Sequence, residues 1–127
     1  MIHQKWIHNL KKFHSLPVQE QEQKIGRQKP DSAAIKPFPP ASHVARTRDD
    51  RGKKIPIVRQ SMPNGTVGGE HGLLFIAYSS TPSKFDTMLD KMVGKGGPAD
   101  EVMFFSTCAA SQYFYCPSVA ELEKLGR

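Results

Sequence analysis

Prolines divide this chain into segments that must fold in different ways. Four of them fall between residues 28 and 42, at Pro30, Pro37, Pro39 and Pro40. Proline fixes φ and lacks an N–H group, so neither a helix nor an interior strand can continue through such a segment. We therefore expect residues 28–42 to wrap over the surface as an extended loop that ends at His43.

The residues after this loop predict a pair of antiparallel strands. Residues 55–62 are rich in β-branched side chains, and residues 73–79 form the clearest strand pattern of the chain. The dipeptides Asn64-Gly65 and Gly68-Gly69 between them favour turns, which indicates a long-looped hairpin. In the first of these strands Val58 faces one side and Arg59 and Ser61 face the other.

Helical patterns occupy much of the remaining sequence. Residues 83–93 place Phe85, Met88, Leu89 and Met92 at helical spacing before Gly94. Shorter helices are expected just after Pro17 up to Gly26, over residues 102–105 and over residues 119–125, and further strands over residues 5–10 and 112–116. This order predicts an α+β fold with an antiparallel sheet.

Length and composition limit the class of protein. The chain has 127 residues and a net charge of +6, enough for one domain over residues 1–127 with a modest core. The basic excess has no accompanying nucleic-acid motif, so we expect no specific nucleic acid partner. No apolar run approaches the roughly 20 residues of a membrane span, and no signal peptide is recognisable. Cys108 and Cys116 form no metal-binding pattern, and a cytoplasmic location is expected by default.

Several segments together resemble one known family. In chain order they read QKWIHNL, SLPVQEQEQKIGR, PPASHVAR, IPIVRQSMPNGT, HGLLFIAYSSTP, MLDKMVG, DEVMFFST and YFYCPS. Over residues 4–120 they resemble the C-terminal half of a dye-decolourising (DyP-type) haem peroxidase. The N-terminal half, with its GxxDG motif and distal aspartate, has no counterpart, so residues 1–127 look like a truncated haem-binding half.

The resemblance implies a fold and a cofactor. The fold is a ferredoxin-like antiparallel sheet with helices on one face, one half of a dimeric α+β barrel-like arrangement in which the first segment is an edge strand. The cofactor is haem b, with His43 as the proximal iron ligand. Asp100 would bond the other ring nitrogen of His43 and make the imidazole electron-rich.

Further positions match family residues around the haem. Arg59 corresponds to the distal arginine and Ser61 to a group that orients peroxide, so with Asp100 they form the predicted catalytic set. Leu73, Phe75 and Met88 would contact the porphyrin, with Leu89, Met92 and Phe105 around or behind it, and Arg27 would lie near a propionate. The apolar members suit ordinary core packing equally well. The other histidines match no ligand position: His3, His8, His14 and His71.

Two functions follow from the resemblance, and a third from charge alone. The first is a haem peroxidase that reduces hydrogen peroxide and oxidises an organic electron donor. The second is a catalytically impaired haem-binding remnant or interaction domain, since the distal aspartate is missing; it would form a homo-oligomer or pair with a separate chain that supplies the other half. The third is a basic nucleic-acid-binding domain.

Overall fold

The computed structural model describes residues 1–126, and its centre is a four-stranded antiparallel sheet. The strands, in spatial order β2-β3-β1-β4, are β1 (Ile2–His8), β2 (Val58–Gly65), β3 (His71–Tyr78) and β4 (Ser106–Tyr113). Helical segments connect β1 to β2 and β3 to β4, and β2 and β3 form the predicted hairpin. This is the ferredoxin-like arrangement, so the predicted α+β fold with an antiparallel sheet is confirmed.

The first strand differs from its prediction in both bounds and place. It runs from Ile2 to His8 rather than over residues 5–10, and it pairs with β3 on one side and β4 on the other. The expectation of an edge strand was therefore wrong, because β1 lies inside the sheet. Residues after it turn into a short helix, α1 (Leu10–His14), where the Asn9 side chain accepts a hydrogen bond from the Lys12 N–H.

Caps define most of the helices. Helix α2 (Val18–Ile25) starts after Pro17 and ends at Gly26, whose φ of 86° is the left-handed conformation that glycine adopts easily. The proline-rich loop follows and leads to α3 (His43–Arg46), a single turn that the sequence pattern did not predict. Helix α4 (Ser83–Met92) and the 3₁₀ turn (Glu101–Phe104) match their predictions closely, as does α5 (Val119–Leu125).

The last strand begins earlier than predicted. The sequence favoured residues 112–116, whereas β4 spans Ser106–Tyr113 and residues 114–116 lie beyond its end. A register shift between Lys5 and Trp6 marks an irregularity in the β1–β4 pairing. Such a bulge interrupts strict alternation, which explains why the period-two pattern is hard to read in this segment.

The two faces of the sheet have different environments. On one face Ile2, Ala77 and Phe85 form a buried cluster, and Ile57, Phe75 and Leu89 pack against it. Helix α4 contributes Phe85 and Leu89, so this face carries the core. The opposite face of β2 leaves apolar side chains in solvent, with Val58 72% and Met62 55% exposed. None of the helices in residues 1–126 has the length and apolarity that a bilayer crossing requires.

Candidate functional site

His43 occupies the first position of α3, directly after the proline-rich loop. Its place is fixed by Ser42, which is fully buried and whose hydroxyl accepts a hydrogen bond from the Ala45 N–H. The Thr47 N–H and hydroxyl both donate to the His43 carbonyl oxygen. The imidazole therefore projects from a short helix that is capped at both ends.

Asp100 lies beside His43, although 57 residues separate them in sequence. The distance between His43 Nδ1 and Asp100 Oδ2 is 2.7 Å. The Asp100 side chain is fully buried, whereas the His43 side chain is 34% exposed. Asp100 Oδ1 accepts a second hydrogen bond from the Val102 N–H at 2.9 Å, so both carboxylate oxygens are occupied.

This bond sets the tautomer of the imidazole. A carboxylate accepts the proton of Nδ1, which in the neutral ring leaves the lone pair on Nε2. Metal-ligating histidines have this second partner on the other ring nitrogen, and it raises their basicity. His43 is thus prepared to act as a metal ligand through Nε2.

An apolar cavity of about 120 Å³ opens beside His43, between the sheet and helix α4. Its wall includes three of the predicted contact residues, Leu73, Phe75 and Met88, and also Leu89 and Met92. Phe105 is buried elsewhere, with its ring 4.4 Å from that of Phe13. The lining of this cavity therefore suits an apolar group.

A second cavity of about 300 Å³ adjoins the first and is lined by both basic and apolar residues. His43, Thr47, Ile57, Arg59 and Met88 line both cavities, which makes them neighbours. The second cavity adds the basic side chains of Arg27, Arg48 and Lys54. Together they suit an amphiphilic anion, with its apolar part in the first cavity and its acidic groups beside the basic residues of the second.

The structure places the predicted polar residues unequally. Arg59 lines both cavities, and its guanidinium has no hydrogen-bond or ion-pair partner among residues 1–126. Arg27 lines the second cavity, but its Nη1 donates to the Ser32 carbonyl oxygen at 2.7 Å. Ser61 is exposed and lines neither cavity, although it pairs with Phe75 across the sheet and so shares the face of Arg59.

Sequence reasoning missed the contribution of β1. Gln4, Trp6 and His8 line the apolar cavity, at alternate positions of the strand. His8 Nδ1 lies 2.7 Å from the Ser106 hydroxyl, and burial lowers the pKa of this imidazole below its ordinary value. The period-two spacing of these residues could have indicated that they share one face of a strand. Two of the three are polar, so the spacing does not show as an apolar pattern.

Comparison with known proteins shows which family the chain resembles. The sequence model of the family described as Dyp-type peroxidase, C-terminal, matches residues 1–121. A dye-decolorizing peroxidase from Mycobacterium tuberculosis is 40% identical over 94% of this chain, and one from Rhodococcus erythropolis is 38% identical over 97% of it. The chain spans 38% of the length of each of these relatives.

Solved structures show the same similarity. A dye-decolorizing protein from V. cholerae superposes with a TM-score of 0.90 and 42% identity, over 97% of this chain and 42% of the other. A DypB variant from Rhodococcus jostii, solved in complex with heme, gives a TM-score of 0.89 and 36% identity, over 98% of this chain and 43% of the other.

Proposed function

The chain belongs to the DyP-type peroxidase family, whose C-terminal part it matches, and on that premise we propose that it binds haem b for the reduction of hydrogen peroxide. An organic electron donor would be oxidised in turn. The observation that carries this proposal is the bond between His43 and the buried Asp100 at the wall of an apolar cavity.

The residues fit haem b in both halves of the site. His43 would hold the iron through Nε2, and Leu73, Phe75 and Met88 would contact the porphyrin in the apolar cavity. The basic residues of the second cavity suit the propionates, with Arg27 as the predicted partner. When bound, haem supplies the redox centre at which peroxide is reduced and the donor is oxidised.

The protein's own groups have separate roles in this proposal. Asp100 keeps the proton on His43 Nδ1 and prevents the ring from rotating. The unpaired guanidinium of Arg59 is available to bind and polarise peroxide and to stabilise negative charge as the O–O bond breaks. Ser61 is proposed to orient peroxide or water, and its support is that it shares a strand face with Arg59.

A second function is favoured by the lining of the two cavities. Among residues 1–126 no Asp or Glu side chain lines either one, and Asp100 is occupied by His43 and Val102. General acid–base help needs a positioned group that can exchange a proton near the working pH. The alternative is therefore a haem-binding or interaction domain that does not itself turn over peroxide.

Partners and location belong to the same proposal. The exposed apolar side chains on the outer face of β2 suit a homo-oligomer or a separate chain that supplies the other half of the fold. Cys108 and Cys116 are both unpaired, which suits the reducing cytoplasm.

Hemin reconstitution tests the proposal. The native chain should give a Soret band with hemin, and His43→Gln should abolish the native spectrum because glutamine keeps an N–H donor for Asp100 but is a poor iron ligand. His71→Ala, at an exposed position outside both cavities, is the matched control and should leave the spectrum unchanged. A native chain without a Soret band would reject both haem functions.

A dye assay then separates the enzyme from the silent binder. Peroxide-dependent oxidation of an anthraquinone dye should be seen with the hemin complex and lost in Arg59→Ala, while Arg51→Ala in an exposed turn should retain it. Haem binding without dye oxidation would favour the non-catalytic function.

A further inference from the structure

We propose that Arg46 is a positioning residue that fixes the distance between His43 and Asp100. It does so by joining α3, which carries His43, to the end of α4 and the segment that leads to Asp100. The functional consequence rests on the proposed role of His43, whereas the positioning itself is a property of the protein alone.

Arg46 is a buried cation with an unusual set of partners. The residue is 7% exposed, and both Nε and Nη2 donate to the Lys91 carbonyl oxygen, at 2.9 and 2.8 Å. Nη2 also lies 3.4 Å from the Lys95 carbonyl oxygen. Among residues 1–126 no carboxylate forms an ion pair with it.

The partners of Arg46 explain how its charge is tolerated. Lys91 belongs to the last turn of α4, where backbone carbonyls have no partner within the helix and carry partial negative charge. The Lys91 carbonyl oxygen also accepts the Gly94 N–H at 3.1 Å, and the partial negative charge at this end of the helix stabilises the guanidinium. Its planar fork makes two bonds to one oxygen, which a lysine ammonium cannot reproduce in the same geometry.

A further hydrogen bond connects the same two segments at the other end. The bond that connects them is donated by the Glu101 N–H to the Ala41 carbonyl oxygen, at 2.9 Å. Within residues 91–101 the Asp100 N–H donates to the Met92 carbonyl oxygen at 2.8 Å, which holds Asp100 against the end of α4. Residues 41–46 and 91–101 are therefore joined near both of their ends. His43 and Asp100 lie within this closed set of contacts, so their separation depends on it.

Gly97 provides an independent way to disturb Arg46. A Cβ atom at Gly97 would lie 2.9 Å from Arg46 Nη1 and 3.4 Å from Nη2. The φ of Gly97 is outside the left-handed region, so alanine brings no backbone strain there. Gly97→Ala therefore moves the guanidinium without removing it.

Nitrogen-edited NMR of the haem-free chain tests the positioning. The signal of the His43 Nδ1 proton is assigned by its loss in His43→Gln. We expect a slowly exchanging signal in the native chain, and exchange with solvent at least about tenfold faster in Arg46→Lys and in Gly97→Ala, where the bond to Asp100 opens more often. Where Arg46→Lys does not fold, Gly97→Ala gives the result.

Two controls separate positioning from general loosening. Ile2→Val weakens the core without touching the joined segments, and it should lower the melting temperature while leaving the Nδ1 proton exchange unchanged. Gly126→Ala, whose new Cβ meets only the Leu122 carbonyl oxygen at 3.8 Å among residues 1–126, should change neither.

Three results would overturn the proposal. The first is that the Nδ1 proton exchanges at the native rate in both Arg46→Lys and Gly97→Ala. The second is that Ile2→Val accelerates this exchange as much as they do, and the third is that the Nδ1 proton is not protected from exchange in the native chain. Hemin binding is measured separately, so a chain that protects this proton but gives no Soret band would reject the proposed function and leave the positioning role in place.

Discussion

The unequal burial of His43 and Asp100 predicts that their substitutions will destabilise the chain unequally. His43→Ala leaves a fully buried carboxylate with only the Val102 N–H as partner. Leaving a buried carboxylate short of a hydrogen-bond donor in this way costs about 2–3 kcal/mol of unfolding free energy. Asp100→Asn removes the charge and keeps an oxygen for Val102, so its cost should be about 1–2 kcal/mol.

The double variant makes this prediction sharper. Because Asp100→Asn removes the charge that His43→Ala leaves unpaired, the double variant should be more stable than His43→Ala alone, by about 1–3 kcal/mol. Urea unfolding of the haem-free chain at neutral pH measures all four free energies, with equal m-values as the test that the unfolded states are comparable. An Asp100→Asn cost equal to that of His43→Ala, or a double variant that is less stable than His43→Ala, would refute the reasoning.

Three further predictions concern other parts of the fold. Gly26→Ala should be more destabilising than Gly52→Ala. Both positions have positive φ, which costs about 1–2 kcal/mol in a residue with a Cβ, but only at Gly26 does that Cβ meet a neighbour, Ser42 Oγ at 2.7 Å. Equal melting temperatures of the two variants would contradict this. Burial and the hydrogen bond to Asp86 raise the pKa of Tyr113 to about 12, so its stabilising contribution is present below the ordinary value of 10 and is lost as pH rises towards 12. Tyr113→Phe should remove this pH dependence of the unfolding free energy. An unchanged slope of unfolding free energy against pH would contradict the prediction. Hydrogen bonds from Tyr115 and Ser118 lower the pKa of Glu121 to about 2, so their stabilising contribution is present above the ordinary value of 4.5 and is lost as pH falls towards 2. In Tyr115→Phe, carboxyl-carbon NMR should show the pKa of Glu121 closer to 4.5. An unaltered titration midpoint would count against this prediction.

Much of the fold was predictable because strong local signals agree with it. Prolines marked the loop before His43, and the apolar spacing around Phe85 and Leu89 indicated α4 within one residue of its end. The family and the antiparallel α+β fold are confirmed. These elements bury one clear apolar face, which is what periodicity detects.

The elements that the sequence pattern missed are defined by contacts with neighbouring residues rather than by an apolar period of their own. Helices α1 and α3 have five and four residues, too few for a periodic pattern, and side-chain caps at Asn9 and Ser42 define where they begin. Strand β1 is interior, yet it carries the polar residues Gln4 and His8, whose side chains are hydrogen-bonded to Ser111 and Ser106 of β4. Its sequence therefore does not show the apolar run expected of a central strand.

The candidate site was only partly accessible from sequence. His43 follows a recognisable loop, but the contact with Asp100 joins positions far apart in the chain, and only the resemblance indicated it. The position of Ser61 outside the cavity wall depends on how β2 sits at the sheet edge. Arg46 gave no signal at all, since its partners are backbone carbonyls, which any residue supplies.

The most direct test of the central claim is the iron–imidazole stretching band in the resonance Raman spectrum of the reduced hemin complex. We predict that this band is present, shifts when histidine is labelled with ¹⁵N, and is absent from His43→Gln but retained in His71→Ala. A band that survives His43→Gln would show that another residue holds the iron, and the assignment of His43 would then be wrong.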